Sequence, residues 1–207
     1  MHIIWKGQSC FQIMATPLKG EQVSVVIDPF NDSLGLKSPS LSADILIISN
    51  HETGKEIKGK PFLISNPGEY EIKDIFIHGF SFIQKKGKNT IYVIEAEGIR
   101  LCHLNNFSNK EITSEQLEKI GDIDILMIPT GGGETIDSSQ AVKIVSQIEP
   151  RVVIPMNYQI PKLKAKLEGV DVFLKAMGQK SAETFDKFLI KKKDFSEGET
   201  KVIVLRP

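Results

Sequence analysis

Asp122-Ile123-Asp124-Ile125-Leu126-Met127-Ile128-Pro129, followed by Gly131-Gly132-Gly133-Glu134-Thr135-Ile136-Asp137 and closed by Val152-Val153-Ile154, is the stretch whose reading decides the fold. After Asp124 the run 125–128 is short, continuous and apolar, the signature of a strand covered on both faces. Asp137 with Gln140 has capping-box spacing and opens a helix whose Ala141, Ile144, Val145 and Ile148 share one face, and Pro150 ends it before strand 152–154. The unit is strand, loop, helix, strand, the kind that lies in a sheet with helices packed on it. A shorter helix precedes it: Thr113 and Gln116 repeat the capping-box spacing, Leu117 and Ile120 give an apolar stripe, and Gly121 stops it.

Upstream the chain reads as strand after strand, at 3–5, 11–13, 23–27, 45–48, 62–64, 75–77, 80–83, 90–94 and 99–101. Turn chemistry separates them at Lys19-Gly20, Pro29 with Asn31-Asp32, Asn66-Pro67-Gly68, Lys86-Gly87-Lys88-Asn89 and Glu97-Gly98. In the tail, residues 170–177 suit helix or strand, 181–185 a helical turn or loop, and 188–190 and 202–205 late strands. A length of 207 residues with 41% hydrophobic and 25% charged residues is that of one sizeable globular domain with its own core, and not of a disordered or fibrous chain.

Lys plus Arg and Asp plus Glu are both 26, so the formal charge is zero and the long-range attraction of a nucleic-acid or anionic-membrane binder is missing. The opening Met1-His2-Ile3-Ile4-Trp5-Lys6 lacks the pattern of a secretion signal, and no apolar run is long enough to cross a bilayer, so the expected location is the cytoplasm. Cys10 and Cys102, far apart and outside any Cys-x-x-Cys pair, are expected as buried reduced thiols.

The four histidines, His2, His51, His78 and His103, form no His-x-His, His-x-x-x-His or His-Glu-x-x-His group, so a local zinc motif is missing. His78 and His103, at strand ends, read as hydrogen-bonded structural residues. The loop Ser49-Asn50-His51-Glu52-Thr53-Gly54-Lys55 leaves a buried strand, the place where open α/β sheets put their sites. The triglycine turn is poor as a phosphate loop, because Gly133 is followed by Glu134 where Lys is required. Lys191-Lys192-Lys193 reads as a solvated strand end.

In order along nearly the whole chain, several fragments resemble the metallo-β-lactamase superfamily, in its small bacterial branch related to L-ascorbate-6-phosphate lactonases. They include Gly7-Gln8-Ser9-Cys10-Phe11, Ile27-Asp28-Pro29, Ala43-Asp44-Ile45-Leu46-Ile47-Ile48-Ser49, Pro67-Gly68-Glu69-Tyr70-Glu71-Ile72, Cys102-His103-Leu104, Gly132-Gly133 with Thr135-Ile136-Asp137, and Ile154-Pro155-Met156-Asn157-Tyr158. The resemblance implies an α/β αββα sandwich, two mixed β-sheets between helices, over residues 1–207. It also implies a His-x-His-x-Asp-His metal loop after residue 49, a bridging Asp after residue 105 and a His at 157.

At those positions the chain has Asn50, Glu52, Gly54, Lys55, Asn106 and Asn157. Neutral amides are weak donors for zinc, and an ammonium at Lys55 repels a divalent cation unless Glu52 neutralises it. The expectation is a vestigial pocket with no metal cofactor, held by amides and a Glu52–Lys55 ion pair, in a protein that is non-catalytic or binds a small ligand. Two alternatives stand beside it. One is a divergent hydrolase holding a single divalent cation, magnesium or manganese, at a displaced site of His51, Glu52 and His103. The other is a scaffold or homo-oligomer subunit. Nucleic acid and membrane are not expected as partners.

Overall fold

The computed structural model describes residues 1–17, 20–49, 57–84, 87–195, 198 and 200–207. Fourteen strands among them form two sheets. The first has six strands in the order β13 (Phe188–Leu189), β1 (His2–Gly7), β2 (Cys10–Ala15), β3 (Val23–Ile27), β4 (Ile45–Ile47) and β5 (Phe62–Ile64). β1 to β3 are antiparallel, and β3, β4 and β5 run parallel.

The second sheet has eight strands: β12 (Glu183–Phe185), β14 (Lys201–Leu205), β11 (Val152–Met156), β10 (Ile125–Pro129), β9 (Ile99–His103), β8 (Gly87–Ala96), β7 (Ile75–Gln84) and β6 (Gly68–Ile72). β6 to β9 form an antiparallel meander, and β9, β10, β11, β14 and β12 are parallel. This is the mixed two-sheet α/β sandwich that the resemblance implies.

Alternation builds the core between the sheets. In β1 the inward residues Ile3 and Trp5 are fully buried while His2, Ile4 and Lys6 on the other face are half-buried. Trp5, Phe11, Ile45 and Ile47 from the first sheet meet Tyr92, Ile94, Leu101, Met127 and Ile154 from the second. Each such side chain contributes about 1.5–3 kcal/mol on leaving water. The two runs expected at 75–77 and 80–83 are one ten-residue strand, β7, with Gly79 inside it. A Cβ at Gly79 would lie 2.6 Å from Cε1 of Tyr92, so glycine here makes room for a cross-strand ring.

Three α-helices are described, α1 (Ser114–Ile120), α2 (Ser138–Ile148) and α3 (Val170–Ala176). Both expected capping boxes, Thr113 with Gln116 and Asp137 with Gln140, are formed in full. All three helices pack on the outer face of the second sheet, where Ile120, Ala141, Ile144 and Phe173 cover Val93, Cys102, Leu126 and Val153. Among the described residues the outer face of the first sheet carries no α-helix. A 3-10 turn (Asp32–Leu34) and the flanking residues Phe30, Leu36 and Leu41 cover Val26 and Leu46 instead.

The tail departs from the sequence reading at two points. Residues 183–185 are β12, a strand pairing with β14, because Thr184 and Phe185 suit an edge strand. Lys192 is not merely solvated, since its ammonium binds both carboxylate oxygens of Asp124 at 2.9 Å. Cys10 and Cys102 are buried free thiols, and burial pushes both pKa values up, so neither is a ready nucleophile. No described helix is long and apolar enough to cross a membrane.

Candidate functional site

The parallel strands β3 and β4 of one sheet and β9, β10 and β11 of the other end at the same end of the sandwich. His103, the last residue of β9, ties the sheets together there: its Nε2 faces the Ser9 carbonyl oxygen at 3.0 Å, and its ring stands edge-on to Phe11 at 5.6 Å. Open α/β sheets place ligands at such carboxyl ends.

Several backbone positions at this end are in the left-handed region. Asp28 (φ +44°) and Asn157 (φ +51°) turn the chain directly after β3 and β11, and Asn105 (φ +52°) does so two residues past the end of β9. Asparagine and aspartate tolerate this conformation better than other side chains that carry a Cβ. Asp28 uses its carboxylate to hold the end of β4, accepting from the Ser49 amide at 2.7 Å and from the Ser49 hydroxyl.

His103 is fully buried. Its Nδ1 accepts the Asn105 amide at 3.1 Å, which leaves the proton on Nε2 to be donated to Ser9. Burial lowers its pKa to about 4, against the weaker opposing pull of the Ser9 and Asn105 hydrogen bonds, so the ring is neutral near pH 7. Both nitrogens are engaged and neither lone pair is presented to a cation. The expected structural role of His103 matches this geometry. His78, half-buried on β7, packs its ring on Phe80 at 5.4 Å.

Asn106 and Asn157, far apart in sequence, meet: Nδ2 of Asn157 donates to Oδ1 of Asn106 at 3.2 Å. Asn106 is fixed from behind by Gln84, whose Nε2 donates to the Asn106 carbonyl at 2.9 Å while its Oε1 accepts the Ser108 amide at 3.0 Å. Of the other proposed pocket residues, Asn50, Glu52, Gly54 and Lys55, together with His51 and the expected Glu52–Lys55 pair, lie outside the described residues.

Next to the Asn106–Asn157 contact lies a cavity of about 660 Å³ between the loops that follow β9, β10 and β11, walled by the triglycine turn with Ser108, Lys110, Gln140, Lys166 and Glu168. Its size is that of a small-molecule pocket. Gly131 has no room for a side chain, since a Cβ would come within 2.3 Å of the Asn157 carbonyl oxygen. The turn does not offer an open helix N-terminus to an anion. Asp137 accepts the Gln140 amide at 2.9 Å, and Glu168 accepts the Ser138 amide at 3.2 Å.

Among the described residues no group of three or more His, Cys, Asp or Glu side chains is arranged to hold a metal ion. At the two described positions that the resemblance assigns to ligands stand two amides bonded to each other, and the nearby His103 imidazole has both nitrogens occupied. A catalytic zinc takes three converging imidazole, thiolate or carboxylate donors, and these two amides are not among those donor types. Sequence reasoning missed the Asp28–Ser49 pair and the Gln84 clamp. Asp28, polar and directly after an apolar strand, was a visible signal for the first, whereas nothing in the sequence marked the second.

The profile of the beta-lactamase superfamily domain matches residues 2–157, three quarters of the chain. The chain belongs to the metallo-β-lactamase superfamily. A solved Thermotoga maritima structure, provisionally named a Zn-dependent hydrolase of this superfamily, is 32% identical with a TM-score of 0.81, over 99% of this chain and 97% of that one. A metal-dependent hydrolase of Thermococcus onnurineus is 27% identical over 84% of this chain and 91% of its own length. The metallo hydrolase Igni18 of Ignicoccus hospitalis shares the fold at a TM-score of 0.59 and 20% identity, over 86% of this chain and 90% of its own. The chain is thus a metallo-β-lactamase-fold member of a metal-dependent hydrolase family. Its relatives' names run against the metal-free expectation and are compatible with the alternative of one divalent cation.

Proposed function

We propose that this superfamily member no longer performs metal-dependent hydrolysis and uses the end of β9, β10 and β11 to bind a small ligand. The observation that supports this reading is the hydrogen bond from Asn157 to Asn106, at two positions that the resemblance assigns to metal ligands. Hydrolysis in this fold needs a metal-bound water made acidic enough to ionise near neutral pH. Asn50, Gly54, Lys55, Asn106 and Asn157 offer a cation weak donors, no donor or a like charge. The cavity beside the amide pair supplies the space for a ligand.

Elemental analysis of protein purified without chelators tests the proposal. The expected metal content is far below one atom per chain, and near-stoichiometric zinc or manganese would overturn it. A second reading, a hydrolase with one displaced cation on His51, Glu52 and His103, draws support from the names of the relatives. It requires His103 to surrender its contact with Ser9 or Asn105. On that reading, magnesium or manganese restores hydrolysis of an activated ester to metal-stripped protein, and H103A abolishes it.

A further inference from the structure

The family and the donor set disagree at one spot that the structure describes in full. Asn106 follows β9 and Asn157 follows β11, while β10 lies between those strands. The amide contact therefore spans the end of β10 and joins two strands that are not neighbours. Both halves are anchored. Gln84 holds Asn106 through the two hydrogen bonds described above. Beside Asn157, the buried Tyr158 hydroxyl donates to the Leu205 carbonyl at 3.1 Å, and the Thr130 amide donates to the Met156 carbonyl at 3.0 Å. Gly131 packs against the backbone of Asn157 and Tyr158 with no space for a Cβ, which fixes the loop that carries Asn157.

We infer that the Asn106–Asn157 contact is a metal-free cross-link: it holds together the two loop ends that the resemblance assigns to a cation. The inference rests on the metal-free reading above. The amide group of Asn157 points the positive end of its dipole at Asn106 Oδ1, which occupies the acceptor and opposes a cation there. The link is neutral, so it holds without metal and is indifferent to chelators. Asn157 is buried, so breaking the pair leaves an amide without a partner and without water.

A double-mutant cycle on the full chain, read by thermal unfolding with and without EDTA and with added zinc chloride, tests this. N157G is the better truncation at that position, because glycine keeps the positive φ without added strain. N106A and N157G are each expected to lower the midpoint by about 2–5 °C. The double variant should fall by clearly less than the sum, and neither EDTA nor zinc should move the wild-type midpoint. Additive shifts would overturn the cross-link whatever the metal result. A wild-type midpoint that drops in EDTA would overturn the metal-free reading whatever the cycle shows. Should N157G fail to fold, N157D takes its place. With N157D, which cannot donate to Asn106 Oδ1, the same cycle is closed against N106A: a double loss clearly below the sum supports the link, whereas additive losses overturn it.

Discussion

The same three strands, β9, β10 and β11, are tied at both ends, and by opposite chemistry. At their starts Asp124, nearly buried, accepts the Arg100 amide at 2.9 Å and pairs with the Lys192 ammonium at 2.9 Å, while Arg151 stands at 3.6 Å. At their finishes His103, Asn105, Asn106 and Asn157 are joined by neutral groups. At Asn106 and Asn157, the two described positions to which the resemblance assigns ligands, the side chains are neutral, whereas the opposite end of the strands is held by charge. The two ends should therefore answer differently to acid and to salt, and that difference can be tested.

The largest effect is expected at the neutral end on acidification. The pKa of His103 is about 4 when folded, against 6.5 for an ordinary imidazole. Between these values the unfolded chain binds a proton that the folded chain refuses, so stability rises with pH. It is fully present above pH 6.5 and is lost as pH falls towards 4, by about 3 kcal/mol. Urea unfolding at several pH values should show this slope, and H103Q, which cannot titrate, should flatten it. An unchanged slope in H103Q would move the titration elsewhere.

At the charged end D124A is expected to cost about 2 kcal/mol, through the unsatisfied Arg100 amide and the lost ion pairs. D124N keeps an acceptor for that amide and should cost less. Added salt should narrow the gap between wild type and D124N, whereas N157G should lose the same stability at low and high salt. If salt affects both ends alike, the contrast between them fails. The smallest effect serves as a reference away from both ends: T113A removes one partner of the α1 capping box and should cost about 1 kcal/mol, independent of salt and of pH above 5.

Much of the fold was legible because its signals are local. The capping boxes at Thr113 and Asp137 and the β-branched runs of the central strands describe their elements without reference to distant residues. β6 was not recognised, because as an edge strand it alternates exposed Glu69 and Glu71 with half-buried neighbours and carries little apolar signal. Strand β12 was missed for a similar reason, being short and largely exposed. The site was legible only in part. Asn106 and Asn157 could be named one by one, but their hydrogen bond, with Gln84 clamping Asn106 from a third strand, depends on sheet order, which no local spacing encodes.

The carboxylates of Asp137 and Glu168 have a consequence for ligand choice. They already take the Gln140 and Ser138 amides at the positive end of α2, so a polyphosphate entering the cavity would have to evict one of the protein's own acids to reach either. Guests that carry hydroxyl or amide groups face no such eviction at the helix end, which leaves Lys110 and Lys166 as the cationic part of the cavity wall.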